Sequence, residues 1–515
     1  MALSCSAAMM PRMDRLSAFK RQAPVSRGQY FLVEGLAAPG RWQRYAPSLG
    51  SCFRDAGLLA LTTLCLMPAG CATYHAAPLK PAAFQRQFFD RSLQDAGLRK
   101  FIARQPITPH PGFPRVQNLS TLVAAGWFYS PALRVQLAGI GVDEANVETA
   151  SELPNPVAVF SPLYAAKAVP GTSPWVLGFS FDIPIETAGR VEDRTVQAKA
   201  LARAGRYELG QIAWNVREGI RLAFINYIFA QKRILLLRQQ VRNTAMVQSL
   251  IQSRFQAGDI SQPIFTAAEI QAHEAALALL AALGLVRERR IQLATAMSLP
   301  LRALAGVRFS YANLMRLTPA TALKMGQLSR AALMNRMDIQ SLLAQYKAAD
   351  AALKLQIARQ YPNIQLGPGY SFDQGENKFT LGFDLAVPIF NQNQGAIAAA
   401  EAQRRVIAAE LNQRQTMVIT TIRADVSQYR GDLRQLRVAR AIETQSELQL
   451  RAVRSAFKAG AQSRLALAEA QFTRNTFAQT VLQSQYFAAQ ALGNLGNVLE
   501  KPLENTPAMP KGTTP

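Results

Sequence analysis

The sequence uses one structural unit twice, and this duplication constrains the fold more than any other feature. The repeated pairs are Pro154-Asn155 with Pro362-Asn363, LGFSFDIPI at 177–185 with LGFDLAVPI at 381–389, FQAG at 255–258 with FKAG at 457–460, and Ser261 with Ser463. Because the pairs keep one order at nearly constant offsets of 202–208 residues, chance does not explain them. The chain is therefore predicted to contain two copies of one unit.

Each unit begins with strand signals, in which large apolar residues alternate with small or polar ones. The alternating apolar residues are Trp175, Leu177, Phe179, Phe181 and Ile183 in the first unit, and Ile364, Leu366, Tyr370, Phe372, Phe379, Leu381, Phe383, Leu385 and Val387 in the second. Turns are predicted at Pro170-Gly171 and Gly375–Asn377, which makes each strand pair a β-hairpin. The other face carries Gly, Ser, Thr and Asp rather than long charged side chains. A soluble sandwich would also alternate, but this polar face favours a channel lumen and the apolar face suits lipid.

After each hairpin the period changes to that of a helix. No proline occurs between Pro184 and Pro263, or between Pro388 and Pro502. The heptad-spaced residues are Ile220, Phe224, Tyr227 and Ile234 in the first unit, and Ile422, Val426, Tyr429, Leu433 and Leu436 in the second. A helix from about 188 to 253 would be roughly 100 Å long.

Each long helix is predicted to end at a glycine, Gly258 or Gly460, where the chain reverses. Ser261 and Ser463 then stand where caps of a second, antiparallel helix are expected. The predicted fold class is mostly α with membrane β-structure, a duplicated β-hairpin plus long coiled-coil hairpin. Four strands cannot close around a lumen, whereas three chains would give a barrel of twelve strands continued by an α-helical periplasmic tunnel.

The amino-terminal region has the features of an export signal. An apolar run at 57–70 follows Arg54 and ends in small residues before Cys71, as secretory signals do. Pro68-Ala-Gly-Cys71 resembles a bacterial lipobox, which makes Cys71 the predicted lipidation site, although Pro68 stands where Leu is favoured. Cleavage of an ordinary signal near Ala72 is the alternative. The roughly 50 residues before the run are assigned no structure, and a start codon placed too early would explain them.

Composition excludes several classes of function. All four cysteines lie within the first 71 residues and the three histidines are isolated, so no disulfide, multi-His metal site or thiol catalysis is expected in the bulk of the chain. The net charge of +24 is spread along the sequence without aromatic-interleaved basic motifs, so no nucleic-acid partner is expected. No hydrolase, metalloprotease or phosphate-loop motif occurs, and neither an enzymatic activity nor a cofactor is expected. No further stretch of 18 apolar residues follows the leader, so no membrane-spanning helix is expected.

The ordered duplication resembles that of the TolC-like outer-membrane efflux proteins. The segments that carry the resemblance are Arg254–Gly258, Arg336–Ile339, Leu381–Ile389 and Ala456–Gln471, and Cys71–Leu79 is similar to the start of lipoprotein members. The resemblance covers about 71–501. It implies a homotrimeric, lipid-anchored exit duct in the outer membrane. It also implies two partners, a periplasmic adaptor and an inner-membrane transporter of the resistance-nodulation-division type.

The resemblance also assigns candidate site residues. The helix-turn tips that would dock the adaptor are Arg254, Phe255, Gly258 and Asp259, and Phe457, Gly460 and Ala461. Ala456 replaces the Arg commonly found before the second aromatic residue. Leu465 and Glu469 match an apolar and acidic periplasmic gate, and Ala466 suggests a single acidic ring. Asp182 and Asp384 are candidate lumen residues on the polar strand face. Each of these residues also has a purely structural interpretation. Glu469 could lie on a solvated helix face, either of Phe255 and Phe457 could stabilise its own hairpin turn, and Asp182 and Asp384 could be ordinary polar residues of the sheet.

The predicted organisation follows from these elements. Residues 1–70 are an extension and signal, 71–120 the lipidated segment, 301–340 an equatorial connection and 502–515 a flexible tail. The first repeat is 121–300, with a hairpin at 154–186 and helices at about 188–253 and 261–299. The second repeat is 341–501, with a hairpin at 362–390 and helices at about 393–457 and 463–500. Two alternatives to a small-molecule or ion efflux duct remain at this stage: a lipid-anchored periplasmic adaptor or scaffold, and a type I protein-secretion duct. The sequence does not identify the exported substrate.

Overall fold

The computed structural model describes residues 72–105, 109, 111–167 and 171–503. Cys71, the predicted signal segment and residues 504–515 of the predicted tail lie outside the described residues. The helices are α1 Pro81–Asp90, α2 Ala96–Arg104, α3 Leu119–Tyr129, α4 Pro131–Ser151, α5 Arg190–Gln256, α6 Gln262–Ala296, α7 Met325–Asn335, α8 Met337–Ala358, α9 Gln394–Lys458 and α10 Arg464–Leu499. The strands are β1 Val116–Gln117, β2 Val157–Tyr164, β3 Trp175–Ile185, β4 Arg308–Phe309, β5 Ile364–Asp373 and β6 Glu376–Leu385.

The duplicated unit is confirmed, and its long helices follow the heptad pattern. Helices α5 and α9 have 67 and 65 residues, so each is roughly 100 Å long at about 1.5 Å per residue. The heptad residues Ile220, Phe224, Tyr227 and Ile234, and Ile422, Val426, Tyr429 and Leu436, are all buried. Both helices start directly after a left-handed residue, Gly189 in the first unit and Asn393 in the second. The two tyrosines thus serve packing between the helices of the chain.

The strands form one four-stranded antiparallel sheet in the order β2-β3-β5-β6, so both hairpins join in a single sheet. The outer strands β2 and β6 each pair on one side only. The turn between β5 and β6 differs from the prediction, because Glu376 and Asn377 already belong to β6. The turn residues are Gln374 and Gly375, whose φ angles of 51° and 96° suit a two-residue hairpin turn.

The predicted alternation gives the sheet two different faces. Phe179 on β3 lies opposite Phe160 and Tyr370, and Tyr370 lies opposite Phe379, so aromatic side chains cross the sheet on one face. The other face carries small residues in register, with Gly367 opposite Gly382. Large side chains such as Phe379 and Phe383 are 83% and 66% exposed in the single chain. An exposed apolar surface of this kind requires a lipid or protein partner.

A helical element that the sequence analysis missed precedes each hairpin. Helix α4 packs against α5, and α8 packs against both α5 and α9. The connecting segment therefore ends before Met337 rather than at 340. Both helices are rich in alanine, and α4 also contains two glycines, so their apolar residues do not mark one face and gave no periodic signal.

A compact layer surrounds the middle of the long helices and joins the amino-terminal and connecting segments. Strands β1 and β4 form a parallel pair, with Val116 opposite Arg308. The Phe309 ring lies 5.6 Å from that of Phe224 and 5.5 Å from that of Tyr227, so this layer packs on α5. On the second unit, the Tyr429 hydroxyl donates a 2.6 Å hydrogen bond to the Thr318 carbonyl.

Helix α6 is more apolar than the sequence analysis expected, although its 35 residues are slightly fewer than the predicted range of 261–299. Over an 18-residue window α6 reaches a mean hydropathy of 1.4, with 11% of the window buried, which meets the length and composition of a membrane span. By length and composition alone, α6 therefore departs from the expectation that no membrane-spanning helix follows the leader. Because α6 returns antiparallel along α5, its apolar character fits the second arm of a coiled coil.

Candidate functional site

The two helix-turn tips share one backbone conformation. In the first, Gly258 has a φ of 80°, and the amide of Asp259 donates to the carbonyl of Arg254 at 2.9 Å. In the second, Gly460 has a φ of 77°, and the amide of Ala461 donates to the carbonyl of Ala456 at 2.8 Å. This pattern closes a helix around a left-handed residue, where glycine carries no steric cost. Each tip is therefore a tight reversal set by its glycine.

The helices that leave the tips begin differently. The Ser463 hydroxyl accepts a 3.1 Å hydrogen bond from the amide of Ala466, so Ser463 caps α10 as predicted. Ser261 occupies the cap position of α6 but makes no side-chain cap bond, which corrects the prediction for that residue. The amide of Ile264, which is equivalent to that of Ala466, instead donates to the backbone carbonyl of Ser261 at 3.1 Å.

The predicted tip residues lie in two exposed groups, one per hairpin. Arg254, Gly258 and Asp259 are exposed at the first tip, as are Gly460 and Ala461 at the second. Phe255 is only partly exposed, because its ring stacks on that of Phe265 with centroids 5.0 Å apart. Phe457 is 37% exposed.

The predicted gate residues lie on one face of α10. Leu465 and Glu469 are four residues apart, hence one above the other on the helix, with Leu465 half-buried and Glu469 exposed. At an offset of 202 residues the first repeat has Pro263 and Ala267 at these places. The acidic position therefore occurs in one repeat only.

The predicted lumen residues lie on the polar face of the sheet, near its junction with the helices. Asp182 lies opposite Val157, and Asp384 lies opposite Gln365. Each is within three residues of its strand's end, where β3 leads toward α5 and β6 toward α9. At the opposite, turn end of β5 and β6, Lys378 forms a 2.8 Å ion pair with Asp373. Acidic groups without a basic neighbour on the sheet thus mark the helical end of the polar face.

A buried charged cluster holds the end of α10, and sequence reasoning did not identify it. The Arg336 guanidinium lies 2.7 Å from the Asp338 carboxylate and 3.6 Å from that of Glu500. It also donates to the carbonyl of Val498. Burial raises the pKa of the Glu500 carboxyl, opposed by the hydrogen bond from the amide of Met337. The segment Arg336–Ile339 thus ties α8 to the carboxyl-terminal end of the second repeat.

Small and polar residues fit α10 closely against α5, and this contact joins the two repeats. Asn475 donates to the carbonyl of Leu236 at 2.9 Å and to the side chain of Gln240 at 2.7 Å. The guanidinium of Arg221, which is 2% exposed, lies against Gly493, and its Nε is 2.8 Å from Glu218. These contacts were missed because the partners are more than 230 residues apart in sequence.

The pattern of the outer membrane efflux protein family matches residues 143–298 and 328–499. The structure is similar to that of the outer membrane protein VceC from Vibrio cholerae, with a TM-score of 0.60 and 17% identity over 74% of this chain and 96% of that one. It is similar to the MtrE outer membrane channel from Neisseria gonorrhoeae, with a TM-score of 0.57 and 16% identity over 75% and 89%. It is also similar to the CmeC outer membrane channel from Campylobacter jejuni, with a TM-score of 0.58 and 15% identity over 74% and 85%.

No curated protein sequence matches the chain. The family pattern spans both repeats and leaves out most of the layer between them, and the solved channels share the arrangement of strands and long helices. The chain belongs to the outer membrane efflux protein family.

Proposed function

We propose that three copies of this chain form the outer-membrane exit duct of a tripartite efflux pump. The observation that carries this is the open sheet, whose edge strands β2 and β6 each lack a partner on one side within the described part of the chain. Unpaired backbone groups are not stable in lipid, so the sheet must close on itself or on other copies. Four strands per chain are too few to enclose a lumen, whereas three chains supply twelve.

Apolar surface on the helices supports the same assembly. The most exposed large apolar residues of α6 are Ile264, Ile270, Leu277, Leu280 and Ile291. A helix of a periplasmic tube leaves such a stripe exposed only when a neighbouring chain covers it. The sheet meets lipid and the helices enclose a tunnel that continues the barrel lumen. Transport through this duct is passive, with energy supplied by an inner-membrane transporter of the resistance-nodulation-division type.

The two tips are the surface that a periplasmic adaptor binds in this proposal. They lie at the far end of the long helices from the barrel, and both tips expose side chains in tight reversals. Cys71 would anchor the chain to the outer membrane through lipid. Metabolic labelling with a palmitate analogue checks this, since Cys71→Ser should abolish label and leave the strand segments in the membrane fraction.

Glu469 and Leu465 form the periplasmic constriction in this proposal. Three Glu469 carboxylates, one per chain, would meet at the tube axis and repel one another, so the ring binds cations and narrows the path for anions. Asp182 and Asp384 would form a second acidic zone where the barrel meets the tube.

Single-channel conductance in planar bilayers tests the gate. Glu469→Ala should raise conductance and weaken cation selectivity. Glu410→Ala is the matched control, because Glu410 is also an exposed glutamate and lies on α9 away from the tip. Unchanged conductance in Glu469→Ala would reject the gate, and no channel activity from the unaltered protein would reject the duct. Growth of a deletion strain with graded drugs, metal salts and a secreted reporter protein separates an efflux duct from a type I secretion duct.

A further inference from the structure

The two tips differ in their side chains although their backbones match. Counted over equivalent stretches at an offset of 202 residues, 246–266 contains one cation, Arg254, and one anion, Asp259. The second stretch, 448–468, contains four cations and no Asp or Glu. These cations are Arg451, Arg454, Lys458 and Arg464. The first tip is therefore neutral, and the second carries a local charge of about +4.

Among the described residues, the cations of the second tip form no ion pair with an acidic side chain. All four are exposed, and in the described part of the chain none of Arg454, Lys458 and Arg464 forms an ion pair. The nearest acid before this stretch, Glu447, is already paired with Arg474 at 2.9 Å. Like charges placed this closely raise the free energy of the free tip, and that cost is relieved when an acidic surface binds.

The aromatic residues of the two tips are also in different states. Phe255 stacks face to face on Phe265, with an angle of 6° between the ring planes, and this contact staples the first hairpin. Leu467 stands at the place equivalent to Phe265 in the second hairpin. Phe457 has no ring partner among the described residues and is 37% exposed beside Lys458. An exposed aromatic side chain flanked by cations is typical of a binding hot spot.

We infer that the second tip selects the adaptor, by binding an acidic end of one of its helical hairpins that covers the ring of Phe457. The first tip makes a charge-neutral contact whose phenylalanine serves the hairpin itself. This inference rests on the proposed function, which brings an adaptor to the tips. A protein partner fits better than an anionic cell-wall glycan, because the cations surround an exposed aromatic ring on the end of a coiled coil.

Photo-cross-linking in intact cells tests the inference on the full chain. A photoreactive residue replaces Gln462 at the second tip or Gln256 at the first, and mass spectrometry identifies the cross-linked peptides. The charge-reversal variants are Arg454→Glu and Lys458→Glu, made singly and together, and the variant at the first tip, matched to either single change, is Arg254→Glu. Phe457→Ala and Phe255→Ala form a second matched pair, and native mass in detergent verifies that every variant assembles.

We expect a photoreactive residue at position 462 to cross-link to an Asp- and Glu-rich hairpin end of an adaptor. The double charge reversal should lower that yield about tenfold, since charges at the rim of an interface act chiefly on the rate of association. Arg254→Glu should change the yield at Gln256 by less than about twofold, because a single exposed charge contributes little. Phe457→Ala should lower the yield at Gln462, and Phe255→Ala should not.

Two results would overturn the inference and leave the duct intact: an adaptor peptide without acidic excess at Gln462, or equal sensitivity of both tips to charge reversal. Cross-linking of Gln462 to glycan alone would also overturn it. Absence of an adaptor cross-link from both tips, in cells where the protein forms channels, would instead contradict the proposed docking surface.

Discussion

The contact between Arg221 and Gly493 predicts a large response to a very small change. A Cβ atom at position 493 would lie 1.8 Å from the Cζ of Arg221, a distance that no side-chain pair tolerates. The guanidinium would have to move, although Arg221 is 2% exposed and bonded to Glu218. Overpacking of this kind costs about 1–3 kcal/mol. We therefore expect Gly493→Ala to destabilise the protein by about that amount, against the usual gain of replacing a helical glycine by alanine.

Gly431→Ala is the control, because nothing lies within 4 Å of a Cβ at that position on α9. It should be neutral or stabilise by up to about 1 kcal/mol. Denaturant midpoints of the purified protein in detergent, followed by circular dichroism, give the comparison. In an Arg221→Ala background the cost of Gly493→Ala should largely disappear, since the clashing group is gone. An equal cost of Gly493→Ala in both backgrounds, or a cost no larger than that of Gly431→Ala, would refute the reasoning.

Three further perturbations follow from single contacts. Tyr429→Phe should destabilise by about 1–2 kcal/mol, because it leaves a carbonyl of the connecting segment without its buried donor; an unchanged midpoint would show that water replaces the hydroxyl. Ser463→Ala should cost about 1 kcal/mol in thermal or denaturant unfolding, whereas Ser261→Ala should cost much less because it makes no cap bond; equal losses would contradict the capping difference. Burial raises the pKa of the Asp432 carboxyl above its ordinary 3.8, so its ionisation opposes folding as pH rises through the raised value. Asp432→Asn should thus stabilise the protein at pH 8 and give little gain near pH 4, and a pH-independent gain would exclude this cause.

The repeated segments and the two periodicities predict most of the fold. Alternation around Phe179 and Phe383 predicts the strands and their two faces, and heptads around Phe224 and Tyr429 predict the buried seams of the long helices. These patterns can be recognised because each extends over many residues, so a single deviating residue does not obscure the period. The resemblance to a family then supplies the candidate site residues, which no local pattern contains.

The elements that were missed lack such a pattern. The apolar residues of helices α4 and α8 are not confined to one face, and the β1–β4 pair is two residues long. The pairing of Arg221 with Gly493 depends on three-dimensional register between two helices, and nothing local to either residue predicts it. The difference in charge between the two tips is visible in the sequence, because no acidic residue occurs between Glu447 and Glu469. It was missed because only the similarities between the two repeats were considered.

The central claim is that the open sheet closes only through further copies of the chain, and cysteines on its two edges test this most directly. Ser161 on β2 and Thr380 on β6 lie on the polar face, three strand spacings apart, which is about 14 Å within one chain. A disulfide cannot span that distance, so any bond must join different chains.

Ser161→Cys should therefore be combined with Lys378→Cys, Thr380→Cys or Gly382→Cys in turn, and oxidised in membranes before denaturing electrophoresis. We predict that at least one pair gives a ladder of one, two and three chains that ends at three. The account would be contradicted by a ladder that continues beyond three chains or ends at two. It would also be contradicted if the protein stayed monomeric with every cysteine pair and ran as a single chain in native mass measurements.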